Sequence, residues 1–142
     1  MRRLAYFKDA QEVYDTIGRL FANLAGDPEL GPRFRNANTI LQYAYSEPDS
    51  TITLRLQEDG PADVDFGETE MEPEVVMSMK ADTAHRFWLG KVNVTTALAR
   101  GQIKASGPVA KILKLVPLTK PVYPRYKAQL EADGREDLVK VD

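Results

Sequence analysis

The stretch Val75–Leu118, VVMSMKADTAHRFWLGKVNVTTALARGQIKASGPVAKILKLVPL, decides how this chain folds. Its opening residues predict a short strand with Met77 and Met79 on one face. Asp82 stands where an N-cap would accept from unpaired helix N–H groups. Ala84, Phe87 and Trp88 follow at helical spacing, and Gly90 provides the left-handed residue that commonly ends a helix. Asn93 is a second N-cap, Ala97 and Leu98 give its short helix an apolar side, and Gly101 closes it. Ile103 and Ala105 alternate with Gln102, Lys104 and Ser106, the pattern of a half-buried strand. Gly107 makes the next turn, and Pro108 suits a first helical position. Val109, Ile112, Leu113 and Val116 then form one stripe, opposite Lys111 and Lys114. Almost nothing in this stretch can act as acid, base or nucleophile, so a shaped apolar interior is expected instead of a reaction centre.

Working outward, Val13, Ile17, Leu20, Phe21 and Leu24 predict a helix over Asp9–Ala25, stopped by Gly26-Asp27-Pro28. Gly18 weakens that helix by about 1 kcal/mol relative to alanine unless close packing requires it. A short helical turn, Glu29–Arg35, follows. Thr39–Tyr45 places Leu41, Tyr43 and Tyr45 on one face. Thr51–Gln57 points Ile52, Leu54 and Leu56 inward and Thr53 and Arg55 outward, and Val64 and Phe66 mark a short edge strand. These strands form an antiparallel meander. Two helices and about twenty residues separate the fourth strand from the fifth, a length that suits a right-handed crossover between parallel strands. The expected fold class is α+β, a mixed five-stranded sheet covered on one face by helices. Pro121–Ala132 reads as a further helix carrying Tyr123, Tyr126 and Leu130. Residues 1–133 read as a single domain and 134–142 as a polar C-terminal tail.

A chain of 142 residues can bury a core without staples. The net charge of −2 gives no footprint for nucleic acid, and the absence of cysteine excludes disulfide and thiol chemistry. No apolar run is long enough to span a bilayer, and MRRLAYFKD lacks a secretory apolar region, so a cytoplasmic location is expected.

The search for chemistry yields little. His85, the one histidine, reads as a solvent-facing or partly buried structural residue, because a base needs a positioned partner. A zinc site lacks a second ligand of the right kind. Asp63, Asp65, Glu68, Glu70, Glu72 and Glu74 do not follow the spacing of a calcium loop and read as a solvated acidic loop. No phosphate-cradling loop, nucleophile elbow or dinucleotide fingerprint is present. No cofactor, metal or catalytic residue is therefore assigned.

The decisive stretch resembles the sterol carrier protein type 2 family of lipid-binding domains. The resemblance rests on the Val75–Met79 strand, Phe87 and Trp88, Gly90-Lys91-x-Asn93, and Gly101-x-Ile103-x-Ala105-x-Gly107. The closing run Ala110–Leu118 completes it. The close match covers about a third of the chain. It implies a sterol-carrier-protein-like fold with a lipid-sized apolar tunnel between sheet and helices, and non-catalytic binding or transfer of a fatty acid, acyl thioester or sterol-like molecule. Under that implication the cavity candidates are Met77, Met79, Phe87, Trp88, Leu98, Ile103, Val109, Ile112, Leu113, Val116, Tyr123 and Tyr126. The same apolar residues serve equally well as ordinary core. Lys104, Lys111, Lys114 and Lys120 form the one basic cluster, either a solvated face or a group steering the protein to anionic headgroups and transient membrane-surface contact. Two alternatives stand beside the carrier reading: an interaction or accessory module, able to form a homodimer, and an ester- or thioester-acting enzyme with His85 as base.

Overall fold

The computed structural model describes residues 5–141. The first predicted helix forms as α1 (Ala10–Val13), a π-helical turn (Tyr14–Gly18) and α2 (Arg19–Ala25) in one run. Asp9 caps it, its carboxylate accepting the Glu12 N–H at 2.9 Å. Val13, Ile17, Leu20, Phe21 and Leu24 are buried along it. Gly18 answers a packing demand, since a Cβ there would come within 2.9 Å of the Phe66 ring. Asp27 then starts α3 (Leu30–Arg35) by accepting the N–H groups of Leu30 and Glu29.

Five strands follow: β1 (Thr39–Ser46), β2 (Ser50–Leu56), β3 (Asp63–Phe66), β4 (Val75–Lys80) and β5 (Ile103–Ser106), ordered β3-β2-β1-β4-β5. The β1–β2–β3 meander is antiparallel. The sheet is mixed because β1 and β4 run parallel. The expectation of parallel β4 and β5 is corrected, because these two strands are antiparallel, with Met79 opposite Ile103. The connection between them holds two helices, α4 (Ala81–Trp88) and α5 (Val94–Ala99). Together they return the chain to the end of the sheet it left, where Ile103 pairs with Met79.

Register aligns the inner face. Val64, Leu54, Leu41 and Val75 form one row, and Ile52, Tyr43, Met77 and Ala105 form the next. Thr53 lies on the opposite face yet is fully covered. Gln42 donates to its Oγ1 at 3.1 Å, and Asp65 stands opposite it on β3.

The remaining helices are α6 (Val109–Thr119), a 3₁₀ turn (Lys120–Val122), α7 (Tyr123–Ala132) and α8 (Glu136–Val139). Asp82 does not cap α4. It lies within the first turn and accepts the Tyr6 N–H at 3.0 Å, while Lys80 occupies the cap position. Asn93 does cap α5, accepting from the Thr96 N–H. Pro108 precedes α6 as its cap instead of being its first residue. Gly107 has φ +93°, and a Cβ there would stand 2.2 Å from the Glu74 carbonyl oxygen, so only glycine lets the β5–α6 turn pass β4. The segment read as a polar tail contains α8, whose Leu138 is 2 % exposed and belongs to the core. Among the described residues no helix is long and apolar enough to cross a membrane.

Candidate functional site

Two small apolar hollows lie between the sheet's inner face and the helices. The first, about 50 Å³, is bounded by Phe21, Leu24, Phe34, Leu54, Val64 and neighbouring side chains. The second, about 40 Å³, is bounded by Met77, Met79, Ala84, Phe87, Ile103, Ile112 and others. Leu41, Tyr43, Trp88, Leu115 and Thr119 line both. The two spaces are therefore neighbours parted by a thin wall of side chains, partly from α6. Each admits a few atoms, well short of the roughly 300–1,000 Å³ of a typical small-molecule site.

Met77, Met79, Phe87, Trp88, Ile103, Ile112 and Val116, among the sequence candidates, line the second hollow. Leu98 packs against the core without lining either space, and Val109 is half-buried at the start of α6. Leu113 is 48 % exposed and faces away from the interior. The α6 stripe is rotated from the expected one, and Ile112, Leu115 and Thr119 are its buried residues. The reason is compositional. VAKILKLVPLT is apolar on nearly every side, so spacing alone does not choose the inner face. Thr119 is accommodated because its hydroxyl donates to the Val116 carbonyl at 2.7 Å.

Tyr123 packs its ring edgewise on Phe87 and lies against Gly90, while its hydroxyl meets that of Thr119 at 3.1 Å. Tyr126 is fully buried, and its hydroxyl lies 2.8 Å from Nδ1 of His85. Neither tyrosine lines a hollow. The sequence reading missed Tyr43, Leu41 and Phe21. Their signals were present in the β1 alternation and the first helix's stripe. Tyr43 stacks on Phe21 and Tyr45, and burial pushes its phenol pKa up, so it remains protonated.

His85 is neither solvent-facing nor partly buried, because its exposure is zero. Nε2 lies 2.7 Å from the Leu138 carbonyl, which can only accept, so Nε2 carries the proton. In the neutral ring Nδ1 then accepts from the Tyr126 hydroxyl. Burial, helped by the nearby charges of Lys91 and Arg135, lowers the pKa to about 4 against the opposing Leu138 hydrogen bond. Both ring nitrogens are engaged within the core.

The four lysines have different surroundings. Lys111 donates to Glu74 at 2.8 Å and to the Asn38 carbonyl at 3.0 Å, pinning the start of α6 to the sheet. That bond, followed by one from Thr39, holds the Glu74 carboxyl below its usual range. Lys114 is exposed in the middle of α6, Lys120 is exposed just beyond its end, and Lys104 lines a separate polar groove. Among the described residues no group of three or more His, Cys, Asp or Glu side chains is placed to hold a metal ion, so the acidic loop forms no such site there.

A sequence model of the SCP-2 sterol transfer family matches residues 18–120. The chain belongs to this family. No curated protein sequence matches the chain closely enough to count as a relative. Among solved structures, the sterol carrier protein domain 2 of Helicoverpa armigera superposes with a TM-score of 0.65 at 17 % identity. It covers 87 % of this chain and 96 % of its own. Sterol carrier protein 2 of Yarrowia lipolytica gives 0.59 at 18 %, covering 75 % and 89 %. A stereoselective inverting sec-alkylsulfatase from a Pseudomonas species gives 0.51 at 19 %, covering 58 % of this chain. This chain spans only 13 % of that sulfatase. At these identities the likeness concerns the fold. SCP-2 membership ties the chain to lipid and sterol binding or transfer in general.

Proposed function

We propose that this protein binds an apolar lipid chain without catalysis, in a space made by joining its two hollows. The observation that supports this is their shared wall: Leu115 and Thr119 of α6 border both. Outward movement of α6 merges and enlarges them, with Met77 and Met79 as adaptable surface. Removing hydrocarbon from water supplies about 0.8 kcal/mol per methylene, on the order of 10 kcal/mol for a dodecyl chain. Ordering costs reduce this by several kcal/mol. A single exposed ion pair contributes only about 0–1 kcal/mol, so burial sets affinity. Leu113 and Lys114 on the outer side of α6, with Lys120 just after it, suit transient contact with an anionic bilayer, the lysines through charge and the leucine through insertion.

The engaged, neutral state of His85 favours the non-catalytic reading over an ester-acting enzyme. The match to one part of a longer sulfatase supports an accessory-module role as the second reading. Leu115→Lys and Leu113→Lys separate binding from mere charge addition. The first is expected to abolish binding of a fluorescent fatty acid, while the second retains it, with both variants folded by circular dichroism. Equal affinities would count against a site beneath α6.

A further inference from the structure

A polar groove of about 930 Å³ lies at the end of the sheet where β1 and β4 finish, bordered by α4 and α5. Among the described residues, Lys80, Arg86, Lys91, Arg100 and Lys104 line it, with two carboxylates, Glu47 and Asp82. Lys80 stands 3.5 Å from Glu47, and Lys91 donates to the Val141 carbonyl. Among the described residues, Arg86, Arg100 and Lys104 have no carboxylate within ion-pair reach. Two polar atoms of groove residues are also buried without a hydrogen-bond partner: Nε of Arg86 and the hydroxyl of Tyr45, a residue only 4 % exposed. Such orphans are rare in folded proteins, and both belong to side chains that line this groove. Met79 lines this groove and the second hollow together. Met79 is thus the side chain that stands between the hollow and the groove, and a ligand spanning both passes beside it.

We propose that the groove is a head-group site for an oxyanion, phosphate or carboxylate, carried on the acyl ligand; this rests on the lipid reading above. A guanidinium presents N–H groups in a planar fork that matches such oxyanions. Arg100 and Lys104 add charge at the rim.

The test compares dodecyl phosphate, dodecanol and inorganic phosphate by calorimetry on the whole protein, with the Arg86 Nε–H resonance followed by nuclear magnetic resonance. Wild type is expected to bind dodecyl phosphate about tenfold tighter than dodecanol, the order expected of one charge-assisted hydrogen bond. Arg86→Gln and Arg100→Gln each reduce that preference and leave dodecanol unchanged. Inorganic phosphate shifts the Arg86 signal but binds more weakly than dodecyl phosphate; comparable affinity would make the ligand a free anion and overturn the head-group assignment. Equal affinity for both amphiphiles, with Arg86 unmoved by phosphate, overturns the groove assignment and leaves lipid binding standing. Phosphate that moves Arg86 while neither amphiphile binds overturns the lipid reading and the acyl-borne ligand with it, leaving an oxyanion site alone. No binding and no shift overturns both.

Discussion

His85 donates from Nε2 to the Leu138 carbonyl at 2.7 Å, joining α4 to the last helix through the core. This bond fixes the tautomer and lets Tyr126 satisfy the other nitrogen. It turns the one histidine of the chain into a structural element whose charge state matters.

Stability should therefore fall in mild acid. The imidazole titrates near 6.5 when unfolded and near 4 when folded. Between those values unfolding takes up a proton, so acid favours the unfolded chain. The contribution is complete above 6.5, is lost as pH falls toward 4, and amounts to about 3 kcal/mol. Asp27, lowered to about 2 chiefly by the Leu30 N–H and Arg125, adds its own loss only below its ordinary value of 3.8. Chemical denaturation across this range checks the window, and a flat profile from neutrality to pH 5 would argue against the buried ring.

Leu138→Ala keeps the carbonyl that His85 uses but removes a buried side chain. It should destabilise the protein by about 2–4 kcal/mol. A loss below about 0.5 kcal/mol would mean that α8 does not pack as described.

Gly107→Ala places a Cβ against the Glu74 carbonyl at a backbone angle that L residues rarely adopt. A loss of about 3 kcal/mol is expected from equilibrium unfolding. Wild-type stability would contradict the close passage of the β5–α6 turn by β4.

The strands and the α4–α5–β5 run were legible because alternation and glycine punctuation are local. Asn93 capped its helix as the sequence implied. The direction of β5 was not legible, since it depends on how α4 and α5 fold back in space. The inner face of α6 was hidden by apolar residues on nearly every side, which is why Leu113 was placed in the inner stripe and Leu115 was left out of it. His85 escaped because its partners, Tyr126 and Leu138, lie 41 and 53 residues away. Leu138 sits in a short run whose three apolar residues, Leu138, Val139 and Val141, are too few to set a periodicity. The four lysines looked like a cluster in sequence, yet Lys104 lies on the edge strand β5 and Lys111 is committed to Glu74, neither of which spacing reveals.

Trp88 offers the most direct measurement, because it is the only tryptophan and lines both hollows. Titration with dodecanol should shift its emission in a saturable way, ending near equimolar ligand, in the wild type and in Leu113→Lys but not in Leu115→Lys. A Trp88 signal unchanged across dodecanol, dodecyl phosphate and a sterol, in a protein shown to be folded, would contradict lipid occupancy of this interior.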